Sequence, residues 1–262
     1  MTFADHTRSI MRVMEHHAFV YRRTWQGSVF STFLNPVLYL AALGVGLGAF
    51  VDQSNPMGVE GVPYATFLAP GILVATAMNT ATGESTYPVM AGIRWLKTYV
   101  GMILSPLDPR HVATGQLLWA GVRVTLGAVV FLGVMIVFGA TDVPHALLML
   151  PVAILTGLAF AAPIQAFSAA QQNDAPFATL FRFVIMPMFI FSGTFFPVTQ
   201  LPELLQYVAY ATPLWHAVSL SRGIALEMLD PLVALINVAY LSVFVVVGLA
   251  WSYRSFSRRL AE

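Results

Sequence analysis

Long apolar runs alternate with short polar or proline-containing segments along the whole chain. A membrane-spanning helix needs ~20 mainly apolar residues, and six runs meet this requirement. They are Val29–Phe50, Ala65–Gly83, Val112–Phe138, Ala146–Ala170, Phe177–Phe196 and Leu232–Tyr253. Strands of a membrane barrel would instead alternate over ~10 residues. The pattern predicts an all-α integral membrane protein with six transmembrane helices, forming a single transmembrane domain over residues 1–262.

Basic residues lie mainly on one side of the predicted spans. With an even number of spans both chain ends share one side, and ten of the 13 basic residues fall there. These ten are Arg8, Arg12, Arg22, Arg23, Arg94, Lys97, Arg110, Arg254, Arg258 and Arg259. Because Lys and Arg are enriched in cytoplasmic loops, both termini are predicted to be cytoplasmic.

Residues 1–28 precede the first span and have an amphipathic pattern. The apolar stripe of the predicted helix contains Ile10, Val13, Met14, Tyr21 and Trp25. This pattern is typical of a helix in the membrane interface; a solvated leader without a special role is the alternative. Several arginines come before the first long apolar run, so a cleavable signal peptide is not expected.

The connection between the second and third spans, residues 84–111, contains "TYPVMAGIRWLKTYVGMILSPLDPRH". Pro88 near its start and Pro106 and Pro109 near its end bracket an apolar-rich segment, which predicts one helix with Arg94 and Lys97 near its middle. This helix either docks onto a cytoplasmic partner or merely extends the flanking spans into the interface.

The stretch "FSGTFFPVTQLPELLQ", residues 191–206, follows the fifth predicted span. A chain leaving the bilayer for good would stay polar, but this one returns to apolar residues after Pro197 and Pro202. The apolar residues are Leu201, Leu204, Leu205 and Tyr207. Prolines break helices, so the pattern predicts a short apolar segment at a membrane surface.

Composition supports the membrane assignment and limits the chemistry. The 262 residues are 58% hydrophobic and 10% charged, with mean hydropathy +0.74, whereas soluble domains are about 25% charged. A net charge of +1 argues against a nucleic-acid partner, because binding phosphates requires clustered Lys and Arg. The absence of cysteine removes disulfides and thiolate catalysis.

Residues that could support catalysis or ion coupling are missing. The sequence has no GxxxxGK[ST] phosphate loop, and its six histidines show no metal-binding spacing. "GVGLG" lies inside the first span, where Gly44 and Gly48 form a small-residue face for helix packing. Arg123 and Arg182 fall within spans, but arginine is a poor proton carrier. We therefore expect no metal and no cofactor bound by this chain.

The second span carries a polar stripe at helical spacing, formed by Asn79, Thr82 and Thr86. Polar groups at membrane depth must find partners. The stripe faces either a neighbouring helix or a water-accessible path.

Two stretches resemble one family. "FIFSGTFFPVTQLPELLQ" followed by "ATPLWHAVSLSRG" resembles the segment after the fifth span in permease subunits of type-2 ABC exporters, and "MILSPLDPRHVATGQLLWA" resembles their entry into span three. The chain is most similar to the permeases for lipo-oligosaccharide (nodulation-factor) export, with hydrophobic drugs as the alternative cargo. It departs from that subgroup at Tyr99, where tryptophan is expected.

The resemblance implies roles for several sets of residues. The coupling helix that contacts the ATPase would contain Gly92, Ile93, Arg94, Trp95, Lys97 and Tyr99. The substrate path would be lined by Asn79, Thr82, Thr86, Phe191, Phe195 and Phe196. Residues 197–230 would form re-entrant helices on the extracytoplasmic side, with a gate at Gly193, Pro197, Pro202, Leu204, Trp215 and His216. Gly44 and Gly48 would pack against the fifth span of an opposing subunit.

The resemblance also implies the partners. Two copies of a separate ATP-binding subunit would bind ATP and Mg and supply the energy, and a second permease subunit would complete a homodimer in the lipid of a bacterial plasma membrane. This chain would then be a permease and not itself an enzyme, exporting an amphipathic molecule. A stand-alone channel or secondary carrier is the alternative function. An intramembrane enzyme would need paired polar residues at depth, which the sequence lacks.

Overall fold

The computed structural model describes residues 3–55 and 57–260, and in this part of the chain the regular secondary structure is helical. The main helices are α1 (Phe3–Tyr39), α2 (Gly48–Ser54), α3 (Tyr64–Ser85), α4 (Tyr87–Met90), α5 (Thr98–Ile103), α6 (Pro109–Val137), α7 (Val143–Ala170), α8 (Ala175–Leu180), α9 (Met186–Phe191), α10 (Glu203–Tyr210), α11 (Pro213–Ala225) and α12 (Pro231–Leu260). The helical structure also includes three π-helical segments and one 3₁₀ turn. The π-helical segments are Leu40–Leu47, Ala91–Trp95 and Phe181–Ile185, and the 3₁₀ turn is Val198–Gln200.

Side-chain caps and prolines mark where several helices begin. Asp108 caps α6 with a capping box in which His111 bonds back to its backbone N–H, and Pro109 follows at the first turn. Asp142 accepts from the His145 N–H at the start of α7. Thr212 does the same for α11 through the Trp215 N–H. These caps satisfy helix-end donors that have no partner within the helix.

Helix α7 lies at the centre of the bundle and packs against α3, α6, α11 and α12. Close approach is possible where glycines replace side chains. A Cβ added at Gly157 would lie 2.6 Å from Val124 of α6, and one at Gly248 of α12 would lie 2.6 Å from the Pro163 ring of α7. Small residues at helix contacts are typical of membrane helix packing.

Among the described residues, five helical segments are long and apolar enough to cross a membrane: Val37–Ser54, Tyr64–Trp95, Pro109–Val137, Val143–Ala170 and Pro231–Leu260. The predicted span Phe177–Phe196 corresponds to a shorter apolar helix, Ala175–Phe191. It ends early because the chain turns at Gly193, whose φ of +86° does not continue a helix. The predicted number of six spans is therefore not confirmed.

The segment before the first span is not the separate helix that the sequence predicts, but the beginning of the same helix. Helix α1 continues through the π-helical segment into α2 without a break. Residues 1–28 and the first span thus share one continuous helical run wherever the structure describes them.

Gly44 and Gly48 pack inside the chain, and their contact with an opposing subunit stays a prediction. Both are buried. A Cβ at Gly44 would contact Ala65 at 3.4 Å, and one at Gly48 would contact Tyr64 at 3.7 Å. The small-residue face therefore joins the first span to α3 of the same chain.

Replacing Gly248 tests the contact between α12 and α7. Gly248→Ala should destabilise the protein by about 1–3 kcal/mol, because its Cβ meets backbone atoms of Pro163 and Ala162 that cannot rotate away. Gly127→Ala on α6 is the matched control, since nothing lies within 4 Å of its Cβ position. Thermal unfolding in detergent is the measurement. Equal midpoints for the two variants would contradict the packing described.

Candidate functional site

The connection between α3 and α6 is folded into two short pieces and not into one helix. The π-helical segment Ala91–Trp95 ends at Leu96, and Lys97 adopts a left-handed conformation with φ +53° before α5 begins. This corrects the single bracketed helix expected between Pro88 and Pro106. The reversal at Lys97 folds α5 back onto the preceding segment.

Tyr99 holds this connection against the bundle. A Cβ at Gly92 would lie 2.6 Å from the Tyr99 ring, so only glycine permits the two pieces to close. The Tyr99 hydroxyl donates to Gln116 Oε1 at 2.7 Å, and Gln116 Nε2 donates to the Glu84 carbonyl at 2.8 Å. Burial raises the pKa of the Tyr99 hydroxyl, and the Glu84 carboxylate raises it further, so this hydroxyl stays a donor at physiological pH.

The reversal of the connection is exposed, as is its later part around Leu104. We name Trp95, Leu96 and Lys97 the tip; Trp95 is 55% exposed, Leu96 is 73% exposed and Lys97 is also exposed. Of the other predicted coupling residues, Gly92, Ile93 and Tyr99 are buried, and Arg94 is intermediate with its Nε buried. The buried three shape the connection, whereas the tip is open to a partner, as is Leu104, which is 86% exposed.

The N-terminal half of α1 packs along α6 beside the tip. Val13 is fully buried, and a Cβ at Gly115 would lie 2.6 Å from it. His17 stacks on Trp119 with ring centroids 5.7 Å apart. Burial, with a smaller contribution from His16, lowers the pKa of His17 to about 4, so this ring is neutral at pH 7.

A charged pair links the same region to α3. Arg123 of α6 lies over the Tyr21 ring at 4.4 Å, and its Nε donates to Glu84 Oε1 at 2.9 Å. From the sequence, Arg123 was predicted within the third span and Glu84 at the end of the second, and the two were not predicted to pair. Their separation along the chain hid the contact. The signal that could have revealed it is a lone acid and a lone base at similar depth.

A cleft of about 720 Å³ opens on the side of the bundle between α1, α3 and the helix Ala175–Phe191. Its polar lining comes from Thr76, Asn79, Thr80 and Arg182. Its other lining residues are Tyr39, Ala178, Phe181, Ile185, Met186 and Phe189. Arg182 forms no ion pair or hydrogen bond with any residue in the described part of the chain.

The predicted path residues divide between this cleft and the interior. Asn79 lines the cleft, but Thr82 and Thr86 are fully buried and donate to backbone carbonyls of their own helix. Their hydroxyls therefore bond carbonyls of their own helix and do not line this cleft.

The three predicted path phenylalanines lie beyond the cleft. Phe195 packs edge-on against Phe189 at 5.1 Å and is part of the core boundary. Phe196 is half-buried, and Phe191 is exposed at the end of α9. None of the three lines the cleft.

Arg222 of α11 holds the turn that follows α9. Its Nη2 donates to the Gly193 carbonyl at 2.8 Å, its Nε donates to the Phe67 carbonyl at 3.2 Å, and its guanidinium lies 3.7 Å from the centre of the Phe67 ring. A Cβ at Gly71 would lie 3.1 Å from Thr194, so the turn sits directly on α3. This role of Arg222 was not predicted, although a single arginine among apolar residues is a signal for it.

The predicted gate residues surround this turn in different ways. Gly193, Pro197 and Trp215 line a small cavity of about 280 Å³ that also contains Arg222. Pro202 directly precedes α10, whose Leu204 is 77% exposed.

His216 is part of a helix contact instead. It is buried, bonds Asn237 at 2.7 Å, and stacks on Tyr240 with ring centroids 3.9 Å apart. His216 therefore joins α11 to α12.

The described part of the chain contains no cluster of metal-binding side chains. Within residues 3–55 and 57–260, no group of three or more His, Asp or Glu side chains could hold a metal ion. The candidate site comprises the tip, the cleft and the turn at residues 192–197 that Arg222 holds, which we name the clamped turn.

Removing the Arg222 guanidinium should loosen the turn. Arg222→Leu leaves the carbonyls of Gly193 and Phe67 without these donors, which costs about 1.5–3 kcal/mol per charged hydrogen bond. Amide hydrogen exchange of residues 193–201 should become faster. Arg182→Leu, which removes an arginine with no described partner, should leave that exchange unchanged. Equal protection in both variants would contradict the clamp.

The chain is similar to one protein family and to several known proteins. The family model described as ABC-2 type transporter matches residues 10–226. The chain is 32% identical to Nodulation protein J of Sinorhizobium fredii over 233 residues, covering 89% of this chain and 87% of that protein. It is 31% identical to Nodulation protein J of Rhizobium leguminosarum bv. viciae over 250 residues, covering 95% and 94%. The protein of the same name from Rhizobium meliloti is 31% identical over 249 residues, covering 95% and 92%.

The matched family covers most of the chain, including the tip, the cleft and the clamped turn. Apolar helices long enough to span a membrane agree with it. The chain therefore belongs to the ABC-2 type transporter family, as a multi-pass membrane permease subunit.

Proposed function

We propose that this chain is the membrane-spanning subunit of an ATP-driven exporter that moves an amphipathic molecule out of the cytoplasm or the inner leaflet. The favoured cargo is a lipo-oligosaccharide or other glycolipid, and a hydrophobic drug is the alternative. The observation that carries the proposal is the rigidly held, exposed tip on a chain without a phosphate-binding loop. Such a chain needs an energy source from outside, and the tip offers a surface to receive it.

The tip suits a docking contact with a separate ATP-binding subunit. Trp95 and Leu96 offer apolar area and Lys97 a charge, a combination in which aromatic anchors carry much of the binding energy. Tyr99 and Gln116 fix the tip to the bundle through buried hydrogen bonds. A push on the tip therefore reaches the helices without being lost in a flexible loop.

The orientation follows from the charges around the tip. The start of α1, the tip and the end of α12 share one end of the bundle, where Val13, Tyr99 and Phe256 pack in one cluster. This is the end that carries most of the basic residues, so it is assigned to the cytoplasm. Met11, Phe19 and Val20 are exposed apolar side chains on α1, and a position in the membrane interface would cover them.

The side cleft is the proposed entry for the cargo. It combines an apolar wall containing Phe181 and Phe189 with polar groups from Asn79 and Arg182. An amphiphile presents both kinds of surface, and a cleft open to the side admits it from a leaflet. A small ion would instead need several convergent polar ligands at membrane depth.

The clamped turn and α10 are the proposed outer end of the path. Pro197 and Pro202 keep the chain from continuing as a helix. Leu204, Tyr207 and Val208 are exposed on α10, which supports a re-entrant helix resting in the outer leaflet. The Gly193 carbonyl meets its donor from Arg222, as a backbone group within the membrane requires.

The complete transporter would contain two permease chains and two ATP-binding subunits, with ATP and Mg bound only in the latter. Relatives named Nodulation protein J support the glycolipid class of cargo. A stand-alone channel or secondary carrier is the competing function, and it predicts movement of cargo by this chain without ATP.

Charge reversal at the tip tests docking. Lys97→Glu should weaken co-purification of the ATP-binding subunit at least about tenfold, because like charges across an interface cost several kcal/mol. Glu203→Lys on α10, at the opposite end of the bundle, is the matched reversal and should co-purify normally. The measurement is recovery of the ATP-binding protein with the full-length permease from its own membranes. Normal recovery with Lys97→Glu would exclude the tip as the docking surface.

Substitution in the cleft tests the cargo path. Asn79→Leu should slow transport of a fluorescent lipo-oligosaccharide at least severalfold while ATP hydrolysis persists, since it removes a polar group of the cleft and one bond to the Ala75 carbonyl within the helix. Thr82→Val, one turn along the same helix but buried, should transport normally.

Transport and ATP hydrolysis are measured on the same reconstituted vesicles of the full complex. Equal transport by Asn79→Leu and Thr82→Val would place the path elsewhere. Transport by the permease without ATP would support the channel or carrier.

A further inference from the structure

Three arginines meet at the end of the bundle that carries the tip. Arg110 at the start of α6 and Arg254 and Arg258 near the end of α12 line a cavity of about 240 Å³, together with Tyr253 and Ser257. No described acidic side chain forms an ion pair with any of the three. Cations held this close repel one another unless an anion lies between them.

The cavity has a fixed wall. The Tyr253 hydroxyl and the Thr114 hydroxyl are hydrogen-bonded at 2.9 Å, which joins α12 to α6 at this level. Gln165 of α7 reinforces the same junction by donating to the Ser252 hydroxyl at 2.9 Å and to the Ala113 carbonyl at 3.3 Å. The arginines are therefore presented by helices that are locked together, and not by a loop.

On α12 the arginines continue an apolar stripe. Val243, Val247, Trp251, Arg254 and Arg258 follow one another at spacings of four, four, three and four residues, which places them on one face of a helix. The first three are exposed apolar side chains. A tryptophan between an apolar stripe and cations is typical of the level at which a helix leaves the hydrocarbon.

The facing side of α6 repeats the arrangement. Arg110, Thr114, Leu118 and Val122 follow at four-residue spacing, and Leu118 and Val122 are exposed. Apolar surface on both helices thus leads down to the cavity between them. This geometry matches a molecule with acyl chains along the helices and a negative headgroup at the arginines.

We propose that this cavity binds the phosphate headgroup of an anionic lipid of the inner leaflet. The guanidinium groups of Arg110, Arg254 and Arg258 hold the phosphate, since arginine donates in a fork that matches its oxygens. The acyl chains lie along the exposed stripes of α6 and α12. Basic pockets between membrane helices on the cytoplasmic side suit such headgroups. Assignment to the inner leaflet depends on the orientation under the proposed function.

The chain has no cysteine, so the labelling rate of a single introduced cysteine can show whether the cavity is occupied. Ser257→Cys places a thiol at the cavity, and Ser105→Cys places one in an exposed loop outside it. Each full-length variant is reconstituted in nanodiscs containing phosphatidylglycerol or only phosphatidylcholine, and labelled with N-ethylmaleimide. Phosphatidylglycerol should slow labelling at position 257 severalfold relative to position 105.

Removing the charges should abolish the protection. Each arginine is worth about fivefold in affinity for an anionic surface, so Arg110→Gln, Arg254→Gln and Arg258→Gln combined should make labelling independent of the lipid. Single Arg254→Gln should give a partial loss and covers the case of a triple variant that does not fold. Free inorganic phosphate added to phosphatidylcholine nanodiscs should protect weakly or not at all.

Three outcomes would overturn the proposal. Equal labelling rates in the two lipids would show that no anionic lipid occupies the cavity. Full protection by inorganic phosphate alone would assign a soluble anion site. Loss of the ATP-binding subunit from Arg254→Gln without any lipid dependence would assign the arginines to that partner. A wrong lipid assignment leaves the docking test at Lys97 unaffected, so the two proposals fail separately.

Discussion

Every backbone polar group inside an apolar bundle must be satisfied by the protein itself, and the fold depends on this constraint where helices are interrupted. Pro70 in α3 and Pro151 and Pro163 in α7 each remove a backbone donor within a helix. The turn at Gly193 interrupts the helical backbone entirely, and the arginine of α11 supplies the missing donors. At this turn a side chain from another helix therefore satisfies backbone groups that the helix cannot.

The opposite end of the bundle meets the same requirement with uncharged side chains. Gln116 accepts from Tyr99 and donates to the Glu84 carbonyl, which closes the end of α3 against the connection that follows it. Tyr99 stands where tryptophan was expected from the resemblance. Its hydroxyl is the donor to Gln116, and a ring of this size fills the space above Gly92. The tyrosine at position 99, in place of the expected tryptophan, is therefore accommodated by its hydrogen bond to Gln116.

The helical fold and the approximate positions of the spans were predictable, because an apolar run of ~20 residues in a membrane protein is nearly always a spanning helix. The early end of α9 was not, since it depends on a positive φ at Gly193 that is stabilised by Arg222 from 29 residues away. The same is true of the site. Asn79, Thr82 and Thr86 form one polar stripe in the sequence and all donate to carbonyls of their own helix, but of the three Asn79 alone lines the cleft. Gly44 shows the same difficulty, because a small-residue face does not reveal which helix packs on it.

Helix α3 connects the two ends of the molecule. It spans 22 residues, about 33 Å at 1.5 Å per residue, and most of its length is buried. Its last turn carries the Glu84 contacts that hold the tip, and its first turns carry Phe67 and Gly71, on which the clamped turn rests. Close packing along the buried length of α3 resists bending, although Pro70 removes one backbone donor near its start. Displacement of the tip is therefore resisted by the contacts at Gly193 and Thr194, and the two ends of the molecule are mechanically joined through a single helix.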